Sequence, residues 1–222
     1  MTLPENFESY TRQLMGEALY GTLERALGQE PLTSIRLNPF KAGSTAVPIC
    51  PKGGRQVAWC PEGWYLPARP NFTFDPLFHA GLYYVQEASS MFISHIVRQL
   101  VEKPVMMLDL CAAPGGKTTT ARAVLPEGSL LFSNEPMKLR ASILAENVQK
   151  FGHPDVVVTN NYAADYQRSG LVFDVILADV PCSGEGMFRK DEGAIGEWSK
   201  ENVEKCWQLQ QSIVEDLWPC LR

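Results

Sequence analysis

From Tyr84 onward the chain alternates amphipathic stretches with short, nearly unbroken apolar runs. The runs at 105–110, 129–133, 155–159 and 171–179 predict strands, and helices are expected at 86–101, 117–125, 136–150 and 199–217. Continuous apolar strands joined by helices imply an α/β domain whose parallel sheet is covered on both faces. Ahead of Tyr84 the rhythm differs. Phe7, Tyr10 and Leu14, then Leu19, Leu23 and Leu27, predict two amphipathic helices in the first 30 residues. Strand-like pieces at 33–37, 45–49 and 56–60, separated by clusters such as Pro51-Lys52-Gly53-Gly54, predict a small α+β module. The run from Pro61 to Pro76, with Trp64, Tyr65, Phe72 and Phe74, is expected to be a loop or linker packed by its aromatics. The pattern divides the chain into a module at 1–76 and a larger domain at 77–222.

In a doubly wound sheet a ligand sits beyond the carboxyl ends of the strands. Asp109, Glu135 and Asp179 all fall at such ends. The strand ending at Leu110 runs into Cys111-Ala112-Ala113-Pro114-Gly115-Gly116-Lys117-Thr118, a turn that opens a helix. Paired glycines let the backbone approach a ligand closely, and the helix start offers unpaired N–H groups. Two ligands are in contention. A phosphate-binding P-loop needs a glycine five positions before Gly116, and Cys111 stands there, although Asp179 after an apolar strand suits a magnesium-holding aspartate. S-adenosylmethionine (SAM) needs an acid at the end of the next strand for its ribose, as dinucleotides do, and Glu135 supplies it. The plainer reading of Glu135 is a charge at a helix start beside Pro136.

Asp109–Thr118, Glu135 and Asp179-Val180-Pro181-Cys182-Ser183-Gly184-Glu185-Gly186-Met187-Phe188-Arg189-Lys190 together resemble the Sun/Fmu family of RNA (cytosine-5-)methyltransferases. The segments Thr33–Pro39 and Tyr84–Met91 are also similar to that family. The resemblance covers most of the chain and points to the bacterial branch acting on small-subunit (16S) rRNA. It implies a Rossmann-like SAM-dependent methyltransferase sheet, with SAM cradled by Cys111, Ala112, Ala113, Pro114, Gly115, Gly116 and Lys117. Glu135 would hold the ribose hydroxyls, and Asp179 would lie beside both the methyl donor and the target cytosine. The acid expected to meet adenine is missing from Thr159-Asn160-Asn161-Tyr162. Asn161 is preferred for that contact, with Tyr162 and Asp165 as alternatives.

The chemistry explains the cysteine. Carbon 5 of cytosine is a weak nucleophile, so a thiolate adds to carbon 6 and carbon 5 then attacks the methyl group. The resemblance assigns the attack to a Thr-Cys pair on a later strand and gives Cys182 the task of assisting release. Attack by Cys182 itself is the lesser reading. No Thr-Cys pair occurs in the 222 residues, and Cys220 belongs to a helix end. The expectation is therefore a C-terminally truncated, inactive fragment. Its sheet would be incomplete, with a bare edge and an apolar face on the last helix at Val203, Trp207, Ile213, Val214 and Leu217.

Composition changes this picture little. At 222 residues and 45% hydrophobic the chain can bury a sizeable core. The first ten residues carry acids and no apolar run, so no signal peptide, no membrane span and a cytoplasmic location are expected. The six cysteines and three histidines show no metal-ligand spacing. Net charge is −5, with eight basic and eight acidic residues in 1–100 against twelve and seventeen in 101–222. An RNA partner must then meet local basic surface, for which Arg36, Asn38, Arg189 and Lys190 are candidates, each with a plain surface or turn role as the alternative. The full-length protein is expected to act as a monomer. Rivals to the methyltransferase reading are a P-loop NTPase and a non-catalytic SAM- and RNA-binding assembly factor.

Overall fold

The computed structural model describes residues 3–42 and 53–222, so the strand expected at 45–49 lies outside the described residues together with Cys50. In chain order the elements are α1 (Glu5–Leu27), β1 (Ser34–Leu37), α2 (Pro39–Ala42), β2 (Arg55–Val57), β3 (Cys60–Tyr65), α3 (Pro76–His79) and β4 (Tyr83–Val85). There follow α4 (Phe92–Leu100), β5 (Met106–Asp109), α5 (Gly116–Arg122), β6 (Leu130–Asn134), α6 (Lys138–Phe151), β7 (Val156–Thr159), α7 (Ala163–Ser169), β8 (Val175–Leu177), α8 (Glu192–Glu197) and α9 (Lys200–Leu217). The chain forms two compact units: residues up to Pro31 with Val180–Ile213, and Leu32–Asp179 with Val214–Arg222.

The larger unit holds two sheets. β5 to β8 form a parallel sheet in the order β7-β6-β5-β8. Its middle strands are apolar up to their carboxyl ends, and Met107, Leu108 and Leu131 are fully buried. Met107 and Leu131 pair across β5 and β6 and pack with Val97 and Val101 after α4 and with Ala121 and Leu125 at α5. The opposite face is covered by Leu144 and Val148 of α6, and Phe132 meets Phe173 edge to face at 5.5 Å. The fold is thus the incomplete Rossmann-like α/β arrangement that the apolar pattern and the resemblance implied.

An antiparallel sheet, β2-β3-β1-β4, precedes it. Here the sequence reading needs correcting, because the first residues of the expected Pro61–Pro76 loop are strand. Trp64 pairs with both Ile35 and Gln56, placing β3 in the middle of the sheet. Pro61 is tolerated because pairing with β1 begins only at Gly63, leaving its missing N–H without consequence there. β4 lies beyond residue 76 and completes this sheet at its β1 edge.

At the other end of the parallel sheet β8 is shorter than the expected 171–179. Gly170, in the left-handed region at φ 70°, ends α7, and Pro181 follows soon after the strand. Its edge is not wholly bare: Phe173 N–H donates to the Cys220 carbonyl (2.7 Å) and Arg222 N–H to the Phe173 carbonyl (2.9 Å), a parallel bridge. Of the apolar face expected on α9, Trp207 and Val214 are exposed, whereas Leu217 is buried.

In the smaller unit α1 is broken at Gly16, whose φ of 76° no helix accommodates, so two helical segments form as the apolar pattern implies. Phe7 packs edge to face on Phe188 (5.1 Å) and Trp198 (5.2 Å), with Tyr10, Leu23 and Val203 around them. Leu14 and Leu19, expected on the inner faces, are exposed. Among the described residues no helix is long and apolar enough to cross a membrane.

Candidate cofactor and catalytic site

The parallel register brings the ends of β5 and β6 level, with Asp109 opposite Ser133 and Leu177, and Asn134 opposite Thr159. Beyond these ends lies a cluster of polar groups that are almost entirely buried: Asp109, Thr118, Ser133, Asn134 and Glu135. Buried polar groups are normally hydrogen-bonded, and most here are. Thr118 Oγ1 donates to Asp109 Oδ2 (2.7 Å) and lies 2.8 Å from Ser133 Oγ. Burial, helped by the nearby Asp179 charge, pushes the Asp109 carboxyl up to about 7, against the opposing pull of the Thr118 hydrogen bond.

Asn134 was not singled out by the sequence reading, and it ties three loops together. Its Nδ2 donates to the carbonyls of Leu110 and Asn161 (both 2.9 Å), and its Oδ1 accepts from Asn161 N–H and Thr159 Oγ1 (both 3.0 Å). The backbone of Asn161 is thereby held from both sides. Of the alternatives for the adenine contact, Asp165 is turned back on its own helix: its Oδ2 accepts from Tyr162 N–H at 2.8 Å, which together with Arg168 holds its carboxyl below the usual range. Tyr162 is exposed.

The Cys111–Lys117 segment forms a tight turn containing a cis Ala113–Pro114 bond. Ala112 N–H donates to the Asn134 carbonyl (2.8 Å), and Asn147 Nδ2 from α6 donates to the Pro114 carbonyl (2.8 Å). Gly115 sits at φ 108°, and a Cβ there would approach Leu144 Cδ1 to 3.2 Å. A Cβ on Gly116 would meet Tyr84 and Gln86 at 3.3–3.4 Å. Backbone shape demands glycine at 115, and both positions are closely packed. Cys111 is half-buried, and its thiol is pushed up to about 11 by burial and by the negative charges of Glu135 and Asp109. It is therefore protonated at neutral pH, which removes it as a nucleophile.

Glu135 is fully buried at the end of β6. Its Oε1 accepts from Met137 N–H (3.0 Å), while Oε2 makes no hydrogen bond. Arg140 ion-pairs with this carboxylate, its Nη1 lying 3.4 Å from Oε2 and donating to Oε1 at 3.5 Å, and Arg140 Nη2 donates to the Ala113 carbonyl at 3.1 Å. Arg140, on α6, also escaped the sequence reading. Oε2, buried and ion-paired with Arg140 yet accepting no hydrogen bond, has the acceptor capacity that the hydroxyls of a SAM ribose would use.

Asp179, just past β8, is ion-paired with Lys117, and its side chain is half exposed. The motif that follows belongs to the smaller unit. Ser183 Oγ donates to Glu185 (2.7 Å), which also accepts from Trp198 Nε1 (2.9 Å), while Gln210 Nε2 donates to the Pro181 carbonyl (2.7 Å). These contacts and the buried Phe188 brace the loop, and Cys182 within it is exposed. Arg36 and Asn38, candidates for meeting phosphate, are instead buried and bonded internally; Asn38 Nδ2 donates to the carbonyls of Gly81 and Phe151 at 2.9 and 2.8 Å. Arg189 is half-buried and Lys190 exposed.

This sheet and its strand-end cluster define a methyltransferase-type α/β domain. A methyltransferase homolog from Pyrococcus horikoshii is similar over 95% of this chain and 67% of its own, with 25% identity and a TM-score of 0.77. NSun6 from the same organism, solved with SFG, has the same fold over 99% of this chain and 80% of its own, at 17% identity and a TM-score of 0.81. Residues 98–222 match the model of the 16S rRNA methyltransferase RsmB/F family, and residues 3–88 match the N-terminal domain of 16S rRNA methyltransferase RsmF. The chain belongs to the RsmB/F methyltransferase family. Ribosomal RNA small subunit methyltransferase F of Aeromonas salmonicida is 34% identical over 99% of this chain and 48% of its own length. That of Pectobacterium atrosepticum is 34% identical over 96% of this chain and 46% of its own. The chain spans about half the length of the curated relatives it matches. The P-loop alternative, already weakened by Cys111, is not favoured by any of these relatives.

Proposed function

We propose that this chain binds SAM at the ends of β5 and β6 and belongs to an enzyme that methylates carbon 5 of a cytosine in 16S rRNA. The observation that carries the reading is the buried, donor-less Oε2 of Glu135 beside the glycine turn. In this reading Glu135 accepts the ribose hydroxyls, residues 111–117 line the remainder of the cofactor, and the braced Asn161 bonds the adenine edge. Bound SAM supplies an electrophilic methyl group. Asp179, held by Lys117, accepts from the exocyclic amino group of cytosine and so both aligns and selects the base. A thiolate adds to carbon 6 of the ring, carbon 5 takes the methyl, and loss of the carbon 5 proton releases the thiol. Cys182, exposed on a braced loop, serves the release step, and the attacking thiolate comes from the family's Thr-Cys pair. In this reading the N-terminal part of the chain contributes RNA-contacting surface, and the parallel sheet holds the cofactor.

Calorimetric titration tests the site. Saturable SAM binding that weakens about tenfold or more in Glu135→Ala, with no heat from Mg-ATP, supports it. Mg-ATP binding without SAM binding overturns it in favour of a nucleotide hydrolase. The chemistry is tested separately, with RNA carrying tritium at carbon 5 of cytosine. Methylation must release the label, and methylation with full retention would sink the carbon 5 assignment.

A further inference from the structure

The glycine turn is held from beneath by a side chain that the proposed chemistry does not use. Arg36 of β1 is 1% exposed, and its two hydrogen-bond partners are neutral. Nε donates to Gln86 Oε1 (2.9 Å) and Nη2 to Thr119 Oγ1 (2.6 Å), while Nη1 makes no hydrogen bond. Burial lowers its proton affinity to about 10, so it stays charged at neutral pH. Burying a cation against neutral partners costs stability, and a core needs no arginine for packing alone.

The hydroxyls it meets run onward to the turn. Thr119 Oγ1 accepts from Arg36 and donates to the Gly115 carbonyl (2.9 Å). Gln86 Nε2 donates to Thr120 Oγ1 (2.9 Å), whose own proton reaches the Gly116 carbonyl (2.7 Å). Gln86 also packs where a Cβ on Gly116 would lie. Bonds thus run from the antiparallel sheet to the two glycine carbonyls, and Thr120 Oγ1 also lies 3.1 Å from Gln86 Oε1.

We infer that Arg36, acting with Gln86, is a positioning residue for the cofactor turn: its planar fork fixes Thr119 and Gln86 together, and through them the carbonyls of Gly115 and Gly116. A lysine carries the charge but has no rigid fork with which to hold both partners at once. The inference rests on the SAM reading for its functional meaning, though not for its geometry.

The test compares Arg36→Lys, Arg36→Met, Thr119→Val and Thr119→Ser in the 222-residue chain. Amide hydrogen exchange is read without ligand, and SAM affinity is read by calorimetry. Both Arg36 variants and Thr119→Val are expected to speed exchange at 115–120 and to weaken SAM binding, each about tenfold, the scale of one lost hydrogen bond. Exchange at Leu108 and Leu131 stays as in the wild type, and Thr119→Ser restores both readouts. If the Arg36 variants do not fold, the Thr119 pair carries the test. Rescue by Arg36→Lys, or faster exchange spread evenly through both central strands, overturns the inference. If exchange responds as described but even the wild type binds no SAM, the positioning stands and the cofactor reading falls.

Discussion

The two motifs that carry the family likeness are built in opposite ways. At the ends of β5 and β6 the candidate groups are sunk into the protein: Asp109, Asn134 and Glu135 are each 0% exposed, with one oxygen of Asp109 and one of Glu135 accepting no hydrogen bond. Past β8 the functional groups stand open, with Asp179 half exposed and Cys182 exposed, and it is the neighbours Ser183, Glu185 and Phe188 that are engaged. In the proposed reading the methyl donor, exchanged once per turnover, meets preformed, dehydrated groups, whereas groups that meet a base of a large RNA have to remain reachable. The lesson is that burial separates the holding of the donor from the handling of the substrate.

Substitutions can break this contrast. If the buried end depends on the sheet beneath it, Leu108→Ala, directly before Asp109, lowers stability by ~2–5 kcal/mol in urea unfolding. A loss below ~1 kcal/mol would show that the strand ends stand without their core. Next in size, Glu135→Gln keeps the shape of the side chain and is expected to weaken SAM binding by ~1–2 kcal/mol, measured by calorimetry, because a neutral amide accepts more weakly than a carboxylate. Affinity equal to the wild type would take Glu135 out of the site.

Asp109 sharpens the contrast through pH. Its carboxyl is raised from 3.8 to about 7 by burial, so between those values the folded state binds a proton that the unfolded state has lost. Its contribution to stability is therefore full below about pH 4 and declines as pH rises toward 7, after which it is level. Asp109→Asn is expected to flatten that decline in urea midpoints measured from pH 4 to 7; an unchanged slope would mean that Asp109 does not titrate there. The smallest effect belongs to the open loop: Cys182→Ser is expected to shift stability by less than ~0.5 kcal/mol and to leave SAM affinity unchanged. A marked loss of either would erase the difference between the two regions.

Much of the parallel sheet was legible because continuous apolar runs leave few alternatives, and each of its four strands overlaps a predicted run, β6 reaching one residue beyond its own. The antiparallel module was less so. β3 begins Cys60-Pro61 and contains Gly63, a composition that reads as loop, yet it is the strand that β1 and β2 both pair with. Tertiary pairing overrode local propensity there. At the site, the glycines, Glu135 and Asp179 announce themselves by type and spacing. Asn134, Arg140 and Asn147 do not, because an amide or guanidinium that braces a distant carbonyl leaves no periodic trace.

The sequence by itself determined the fold class, the order of the parallel-sheet strands and the candidate site motifs, since periodicity and motif spacing are local properties of the chain. The tertiary structure alone decided burial: that Arg36 lies under the glycine turn instead of on the surface, that Glu135 keeps one oxygen without a donor, that Cys111 stays protonated and that Cys182 stays exposed. These follow from which distant segments close over a side chain, and desolvation by those segments changes its charge and partners in ways that no neighbour in sequence specifies.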